Sequence, residues 1–153
     1  MASIERDLEA RIGHAFARPG LLVEALTHAS LSERQTGAVD YERLEFLGDR
    51  VLGLVIAEHL HRTFPREGEG ALVLRLNALV NRDACARAAR RVDLGAALRL
   101  APSEDRTGGR NKDTILADAC EALIAAIYLD AGYEAARAFI ARAWGEDLTA
   151  GGK

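Results

Sequence analysis

Residues 41–60 read YERLEFLGDRVLGLVIAEHL, a stretch with helical spacing and apolar side chains on nearly every side. A helix that is apolar all round belongs in the middle of a domain, because each of its faces must be covered by another element. Acids interrupt this stretch at positions i, i+3 and i+7, and at about 100° per residue they lie within roughly 60° of one another. The stretch therefore predicts a central buried helix with one acidic stripe, formed by Glu42, Glu45 and Asp49.

A second stretch, residues 114–130 (TILADACEALIAAIYLD), has the same unusual composition. Asp118 and Glu121 interrupt its apolar run at i and i+3, and no lysine or arginine lies inside the run. Such a pair on its own usually marks a solvated helix face. Two sets of acids on two mainly apolar helices instead favour the binding of a divalent cation, because buried carboxylates need a compensating charge. Ligands that are all oxygen predict Mg²⁺, with Mn²⁺ as its substitute, rather than zinc.

Helical patterns extend over the rest of the chain and predict an all-α fold. Apolar residues make up 49% of the 153 residues and aromatic residues 5%, a balance that favours helices packed through small aliphatic side chains. Pro19 suits the first turn of a helix and Asp40 suits an N-cap. The predicted helices cover 4–12, 19–28, 40–63, 71–79, 82–91, 112–130 and 133–148, with a loop over 31–40, a turn, short helix and glycine loop over 92–110, and a flexible tail over 149–153.

The composition argues against several classes of protein. No apolar run reaches the ~18–20 residues that span a membrane, and the polar start of the chain is unlike a signal peptide. Cys85 and Cys120 are too few for a disulfide framework or a thiolate zinc site, so we expect a reduced, cytoplasmic compartment. The net charge of −3 and the pI near 5.8 do not by themselves indicate a polyanionic partner.

The string ERLEFLGD, residues 42–49, resembles the signature of the ribonuclease III endonuclease domain. The resemblance continues through residues 21–30 (LLVEALTHAS), 75–95 and 108–132, and it covers roughly residues 4–148. It implies the all-helical fold of that domain, a homodimer, and Mg²⁺-dependent hydrolysis of double-stranded RNA to 5′-phosphate and 3′-hydroxyl ends in ribosomal and messenger RNA processing. It implies no organic cofactor and no membrane partner.

Several residues of this chain match functional positions of the family. The resemblance makes Asp49 and Glu121 the catalytic pair and places Phe46 at the dimer interface. It gives Glu42 and Glu69 supporting roles, in RNA contact or in positioning water. The metal-binding carboxylates that it implies are Glu45, Asp49, Asp118 and Glu121.

A basic loop precedes the second acidic stretch, and it has two interpretations. Arg106, Arg110 and Lys112 surround a pair of glycines in this loop. One interpretation is phosphate contact beside the metal, with Asn111 and Lys112 as the RNA-binding pair. The other is an ordinary solvated loop.

The sequence departs from the family in a small way near Val73 and Arg75, and more clearly in its RNA-binding part. Bacterial members commonly carry a double-stranded-RNA-binding domain after a linker, whereas here we assign residues 1–148 to the catalytic domain and find no second basic domain. Because that domain supplies much of the phosphate contact, we expect weak RNA binding that falls further at high salt.

Two other functions stay open from the residues. All-α nucleotide pyrophosphatases also bind Mg²⁺ through ExxE-type helices, although the EFLGD string at 45–49 argues against them. A catalytically silent relative would bind duplex RNA or only dimerise. Loss of a metal-binding acid would mark such a relative, and all four acids are present.

Overall fold

The computed structural model describes residues 3–31 and 35–150, and this part of the chain confirms the all-α prediction. Its only β-pairing is an isolated bridge between Thr27 and Arg99. Residues 32–34 of the predicted loop and 151–153 of the predicted tail lie outside the described residues. The helices are α1 (Ser3–Ile12), α2 (Pro19–Leu26), α3 (Gln35–Thr63), α4 (Glu69–Val80), α5 (Arg82–Arg91), α6 (Pro102–Arg106), α7 (Asp113–Ala131), α8 (Tyr133–Trp144) and α9 (Glu146–Ala150), with short 3₁₀ turns at Leu94–Ala97 and Gly109–Asn111.

Helix α7 lies at the centre of the described fold and contacts α2, α3, α5 and α8. Its side chains between Ile115 and Ile127 are buried on every face, because this stretch consists almost entirely of alanine, leucine and isoleucine. Asp118 and Glu121 are the exceptions in this stretch, and both are half-buried. The two acids of α7 are therefore held on the most rigidly packed element of the fold.

Helix α3 packs mainly against α7, and Gly48 sets how closely the two helices approach. A Cβ atom at Gly48 would lie 2.6 Å from the carbonyl carbon of Glu121 and closer still to its carbonyl oxygen. The two backbones thus touch at this point, which only glycine permits. This crossing brings the acidic stripes of α3 and α7 together.

The helix bounds differ from the predicted ones by one or two residues at several ends and by more at two places. Helix α3 begins at Gln35, so Asp40 lies inside the helix and is not its N-cap. Gly37 does not stop the helix, because one internal glycine costs only about 1 kcal/mol. The predicted last helix is interrupted at Gly145, whose φ of 51° is a conformation that favours glycine, and α9 then continues to Ala150.

The core is built from small aliphatic side chains around a few large ones. Trp144 is fully buried, and its Nε1 donates a hydrogen bond of 2.7 Å to the carbonyl oxygen of Leu79. Cys85 and Cys120 are free thiols buried in the core. No described helix combines the length and the apolar character needed to cross a membrane.

Candidate metal centre

Acidic side chains of α3 and α7 meet where these helices cross. One potential ligand atom from each of Glu45, Asp118 and Glu121 lies within 4.8 Å of the others, and all three residues are half-buried. Within residues 3–31 and 35–150, this is the one group of three or more such side chains that could hold an ion. Three carboxylates at this spacing can share a single hard cation such as Mg²⁺.

Asp49, the fourth predicted ligand, lies beside Glu121 at the solvent edge of the group. A side-chain hydrogen bond between Asp49 and Glu121 is one cause of the raised pKa of Glu121. Asp49 Oδ2 also accepts a hydrogen bond of 2.6 Å from Arg50 Nη1, and the two side chains are 44% and 63% exposed. The crossing therefore brings all four predicted ligands together, with Asp49 on the exposed side of the group.

The electrostatics of the site are those of an uncompensated acidic cluster. The pKa of Glu45 is raised to about 7, mainly by burial and then by the charges of Asp118 and Glu42. Burial also raises the pKa of Glu121 to about 8, with further contributions from the hydrogen bond and charge of Asp49 and from the charges of Asp118 and Glu45. Such shifts mean that the ionised carboxylates lack sufficient positive charge nearby, and a bound cation would supply it.

The pKa of Asp118 is raised mainly by burial as well, but two basic side chains moderate the shift. Burial is the largest cause, and the charges of His28 and Arg82 act in the opposite direction. His28 is held in place by its Nδ1, which lies 2.8 Å from Ser30 Oγ and accepts a hydrogen bond of 3.1 Å from the Ser30 amide. His28 therefore has a structural role at the end of α2.

The donor set fits a hard divalent cation. All the ligand atoms in the group are carboxylate oxygens, the donors that Mg²⁺ and Mn²⁺ prefer. Cys120 lies between Asp118 and Glu121 in sequence but points into the core and is fully buried. Burial raises the pKa of the Cys85 thiol to about 12, so this group is not a thiolate at neutral pH. The described residues therefore offer oxygen ligands and no thiolate at this site.

The two supporting acids, Glu42 and Glu69, occupy different positions relative to the cluster. Glu42 is exposed one turn before Glu45 on α3, and its charge contributes to the raised pKa of Glu45. Glu69 begins α4 and lines a groove with His61 and Val73, outside the group of three ligands. Within one protomer, Glu42 borders the cluster and Glu69 does not join it, and the roles of both acids stay predictions.

The predicted RNA-binding pair lies at the start of α7. Lys112 Nζ forms an ion pair of 2.9 Å with Glu104 Oε2, and the Lys112 side chain is 48% exposed. Asn111 is exposed, and its carbonyl oxygen accepts a hydrogen bond of 2.9 Å from Arg90 Nη2. Arg110 has a structural role, because its guanidinium binds Asp105 and backbone carbonyls. The loop is therefore an ordered element, and RNA contact by Asn111 and Lys112 stays a prediction.

Phe46 lies on the outer face of α3, with 63% of its surface exposed. It lines a groove of about 680 Å³ with neighbouring residues that include Val39, Leu47 and Leu129. The guanidinium carbon of Arg50 lies 4.6 Å from the centre of the Phe46 ring. Charged side chains, among them Glu24 and Arg43, line the same groove. A large exposed aromatic beside a groove of mixed apolar and charged side chains is typical of an interaction surface.

Two residues near the site were not predicted from the sequence to have a role there. Gly48 permits the helix crossing, and its place directly before Asp49 is a signal that the sequence does carry. Tyr41 is buried one turn before Glu45, and its hydroxyl has no hydrogen-bond partner among the described residues. Helical spacing predicts that Tyr41 and Glu45 share one face of α3. Burial of the Tyr41 hydroxyl depends on packing against α7, so it cannot be predicted from the sequence of α3 alone.

Taken together, the fold and the site define a helical domain built around a cluster of carboxylates suited to a divalent metal. A family model described as Ribonuclease-III-like matches residues 18–148. The chain belongs to the ribonuclease III family, whose members are metal-dependent nucleases.

The similarity to individual relatives extends over nearly the whole chain. Proteins named Ribonuclease 3 from Dinoroseobacter shibae and Caulobacter vibrioides are 58% and 52% identical to it, over 92% and 96% of this chain. The chain spans 60% and 64% of the length of these two curated relatives. The nuclease domain of ribonuclease III from Campylobacter jejuni, described for its flexibility in a region involved in dimer formation, is 39% identical, with a TM-score of 0.85 over 92% of this chain and 96% of that one.

Proposed function

We propose that residues 1–148 are a Mg²⁺-dependent endoribonuclease domain that acts as a homodimer. It would hydrolyse phosphodiester bonds of double-stranded RNA and leave 5′-phosphate and 3′-hydroxyl ends, as a step in RNA processing. The observation that carries the proposal is the convergence of Glu45, Asp118 and Glu121, with Asp49 beside them, in a chain of the ribonuclease III family. The pyrophosphatase alternative has no comparable support, because the family match covers residues 18–148.

In this proposal the four carboxylates bind the cation from two sides of the site. Glu45, Asp118 and Glu121 hold the cation from the half-buried side of the site, and Asp49 completes the ligand set from the exposed side. When bound, Mg²⁺ stabilises charge on phosphate oxygens and lowers the pKa of water. The side chains of Asp49 and Glu121 are in contact, and they are the pair that the family resemblance makes catalytic. We expect these two acids to affect turnover most strongly.

The described residues favour direct hydrolysis over a covalent enzyme intermediate. Both cysteines are buried, and burial raises the pKa of each thiol. The Ser30 hydroxyl near His28 is already engaged, since its Oγ also accepts a hydrogen bond of 3.3 Å from the amide of Ala101. Water is therefore the nucleophile that the site can accommodate.

Contacts outside the metal site would position the substrate and the second protomer. Lys112, with Asn111 beside it, lies at the start of the helix that carries Asp118 and can reach a phosphate if it exchanges Glu104 for RNA. Glu42 and Glu69 would contact RNA or order water at the edges of the site. Phe46 and its groove would form the dimer interface.

A cleavage assay on defined RNAs tests this function. We expect a plain RNA duplex to be cut in Mg²⁺ and left intact in EDTA, while the matching single strand and free nucleoside triphosphates are left intact in both. The 5′ ends should accept label from polynucleotide kinase only after phosphatase treatment. Release of pyrophosphate from nucleoside triphosphates would support the pyrophosphatase alternative, and an intact duplex in Mg²⁺ would support the catalytically silent one.

A further inference from the structure

The hydroxyl of Tyr41 is a buried polar group without a partner. Tyr41 is only 2% exposed, and its Oη has no hydrogen-bond partner among the described residues. Leaving a buried hydroxyl unsatisfied costs roughly 1–3 kcal/mol, a cost that phenylalanine at this position would avoid. A buried hydroxyl of this kind is available to donate a hydrogen bond to a group that comes within reach in another state of the molecule.

The surroundings of Tyr41 indicate which state that is. Tyr41 and Glu45 are four residues apart on α3, so they share one face of the helix. Burial raises the pKa of Tyr41 well above its ordinary value, and the charges of Glu45, Asp118 and Glu121 raise it further. The hydroxyl is therefore a protonated donor within the field of the same three carboxylates that form the candidate metal site.

The ring of Tyr41 is held in this position from the other side. The His28 imidazole lies edge-on to it, with ring centroids 5.8 Å apart. His28 is in turn fixed by Ser30 and by a backbone hydrogen bond of 3.0 Å from its own amide to the carbonyl oxygen of Arg99. The hydroxyl is thus presented by a rigid support, as groups that orient metal ligands commonly are.

We infer that Tyr41 is a positioning residue of the metal site, whose hydroxyl donates a hydrogen bond to a carboxylate of Glu45, Asp118 or Glu121 when these side chains hold a cation. This inference rests on the proposed function, because it requires that the three carboxylates bind a divalent metal. A hydrogen bond from outside the ligand set fixes the orientation of a carboxylate and leaves its remaining oxygen lone pairs for the cation. Tyr41 acts through the ligands and does not contact the substrate.

The substitution Tyr41→Phe tests the inference, because it removes the hydroxyl and keeps the ring. Two properties of the whole chain are measured: the midpoint of urea unfolding in EDTA, and the affinity for Mg²⁺ alone from calorimetry in the absence of RNA. We expect the variant to be at least as stable as the wild type in EDTA, since an unsatisfied group has been removed. We expect its affinity for Mg²⁺ to be about tenfold lower, a typical effect of losing a group that orients a metal ligand.

Tyr128→Phe is the matched control. Tyr128 lies on α7, the helix that carries Asp118 and Glu121, and its ring packs against the core without a role in the site. We expect this variant to bind Mg²⁺ as the wild type does.

Each outcome decides between the inference and its alternatives. Equal Mg²⁺ affinity in Tyr41→Phe and wild type would overturn the role of Tyr41 and leave the proposed function standing. A loss of stability in EDTA would also overturn it, because the hydroxyl would then have a structural partner. If the wild type itself binds no Mg²⁺, both the proposed metal site and this inference fail.

Discussion

Gly48 of α3 lies against the backbone of Glu121 of α7, so closely that a Cβ atom at position 48 would lie 2.6 Å from the Glu121 carbonyl carbon. The neighbouring residue Asp49 and the side chain of Glu121 are two of the four predicted metal ligands. One close contact between helices therefore sets both the packing of the core and the geometry of the site.

The substitution Gly48→Ala tests this relationship. A methyl group at position 48 forces α3 and α7 apart, and we expect a loss of about 3 kcal/mol or more in the free energy of unfolding, the upper end of overpacking effects. Urea unfolding in EDTA measures it. Gly53→Ala is the matched control on the same helix, because nothing lies within 4 Å of a Cβ atom there. The control should be stabilised by about 0.5–1 kcal/mol, and equal stability of the two variants would argue against a close crossing.

The negative charge of the candidate metal centre should destabilise the protein when a chelator is present. The pKa of Glu45 is raised to about 7 and that of Glu121 to about 8, mainly by burial and then by neighbouring acids. A carboxyl with a higher pKa in the folded than in the unfolded state binds more protons when folded. Its stabilising effect is therefore present at low pH and is lost as pH rises towards the folded pKa.

We therefore expect the urea midpoint of the wild type in EDTA to fall as pH rises from about 5, just above the ordinary glutamate pKa, to about 8, and Glu121→Gln to reduce this fall. Glu134→Gln, at an exposed residue that pairs with Arg137, is the control and should keep the wild-type pH dependence. Identical pH profiles for Glu121→Gln and wild type would contradict an uncompensated acidic cluster.

The sequence predicts which helix faces carry the acids, but it does not predict which of these faces contact each other. The spacing of Glu45 and Asp49 on α3 and of Asp118 and Glu121 on α7 predicts two acidic helix faces, because helical periodicity is local. Whether these two faces meet depends on how α3 and α7 cross. Helical spacing does not predict that crossing, whereas the family resemblance implies that the four acids share one site.

Other features depend on long-range contacts that no local pattern encodes. The burial of the Tyr41 hydroxyl requires α7, and the ion pair between Lys112 and Glu104 joins the residue before α7 to α6. Helix α3 starts at Gln35 and not at Asp40, because a favourable N-cap residue does not oblige a helix to begin there. The sequence does not predict the break at Gly145, because glycine is also tolerated inside helices at a modest cost in stability.

Asp130 fixes the segment between α1 and α2 to the end of α7, and it should contribute to stability in a pH-dependent way. Its carboxylate accepts hydrogen bonds from His14 Nε2 at 2.9 Å and from the amides of Ala17 and Arg18 at 3.0 and 2.8 Å. Burial alone would raise the pKa of Asp130, but these hydrogen bonds outweigh it and lower the pKa. The contribution is then complete above the ordinary aspartate pKa of about 4 and is lost as pH falls through the lower folded value.

We expect Asp130→Asn to cost about 1–3 kcal/mol at neutral pH, because it weakens three hydrogen bonds to a side chain that is only 1% exposed. The difference from wild type should shrink when unfolding is measured near pH 3. Asp113→Asn removes a half-exposed ion pair with Arg90 and should cost less than about 1 kcal/mol. A pH-independent difference for Asp130→Asn would mean that its charge is not what stabilises the fold.

Phe46 should control dimerisation. Replacing this exposed aromatic with glutamate removes a large apolar contact and adds a negative charge to a groove already lined by Glu24, Asp40 and Glu42. We therefore expect Phe46→Glu to sediment as a monomer at concentrations where the wild type is a dimer. Ile4→Glu, at an exposed apolar residue of α1, is the matched control and should leave the wild-type dimer intact. A dimeric Phe46→Glu variant, or a monomeric wild type, would contradict the assignment of this surface.

The most direct test of the central claim is cleavage and binding of one RNA duplex by the wild type, Glu121→Gln and the Glu134→Gln control in Mg²⁺. We predict that Glu121→Gln retains measurable binding to the duplex at low salt and loses cleavage by a factor on the order of 10² or more, while Glu134→Gln matches the wild type. Cleavage by Glu121→Gln at the wild-type rate would contradict the claim that the carboxylates at the α3–α7 crossing form the active site.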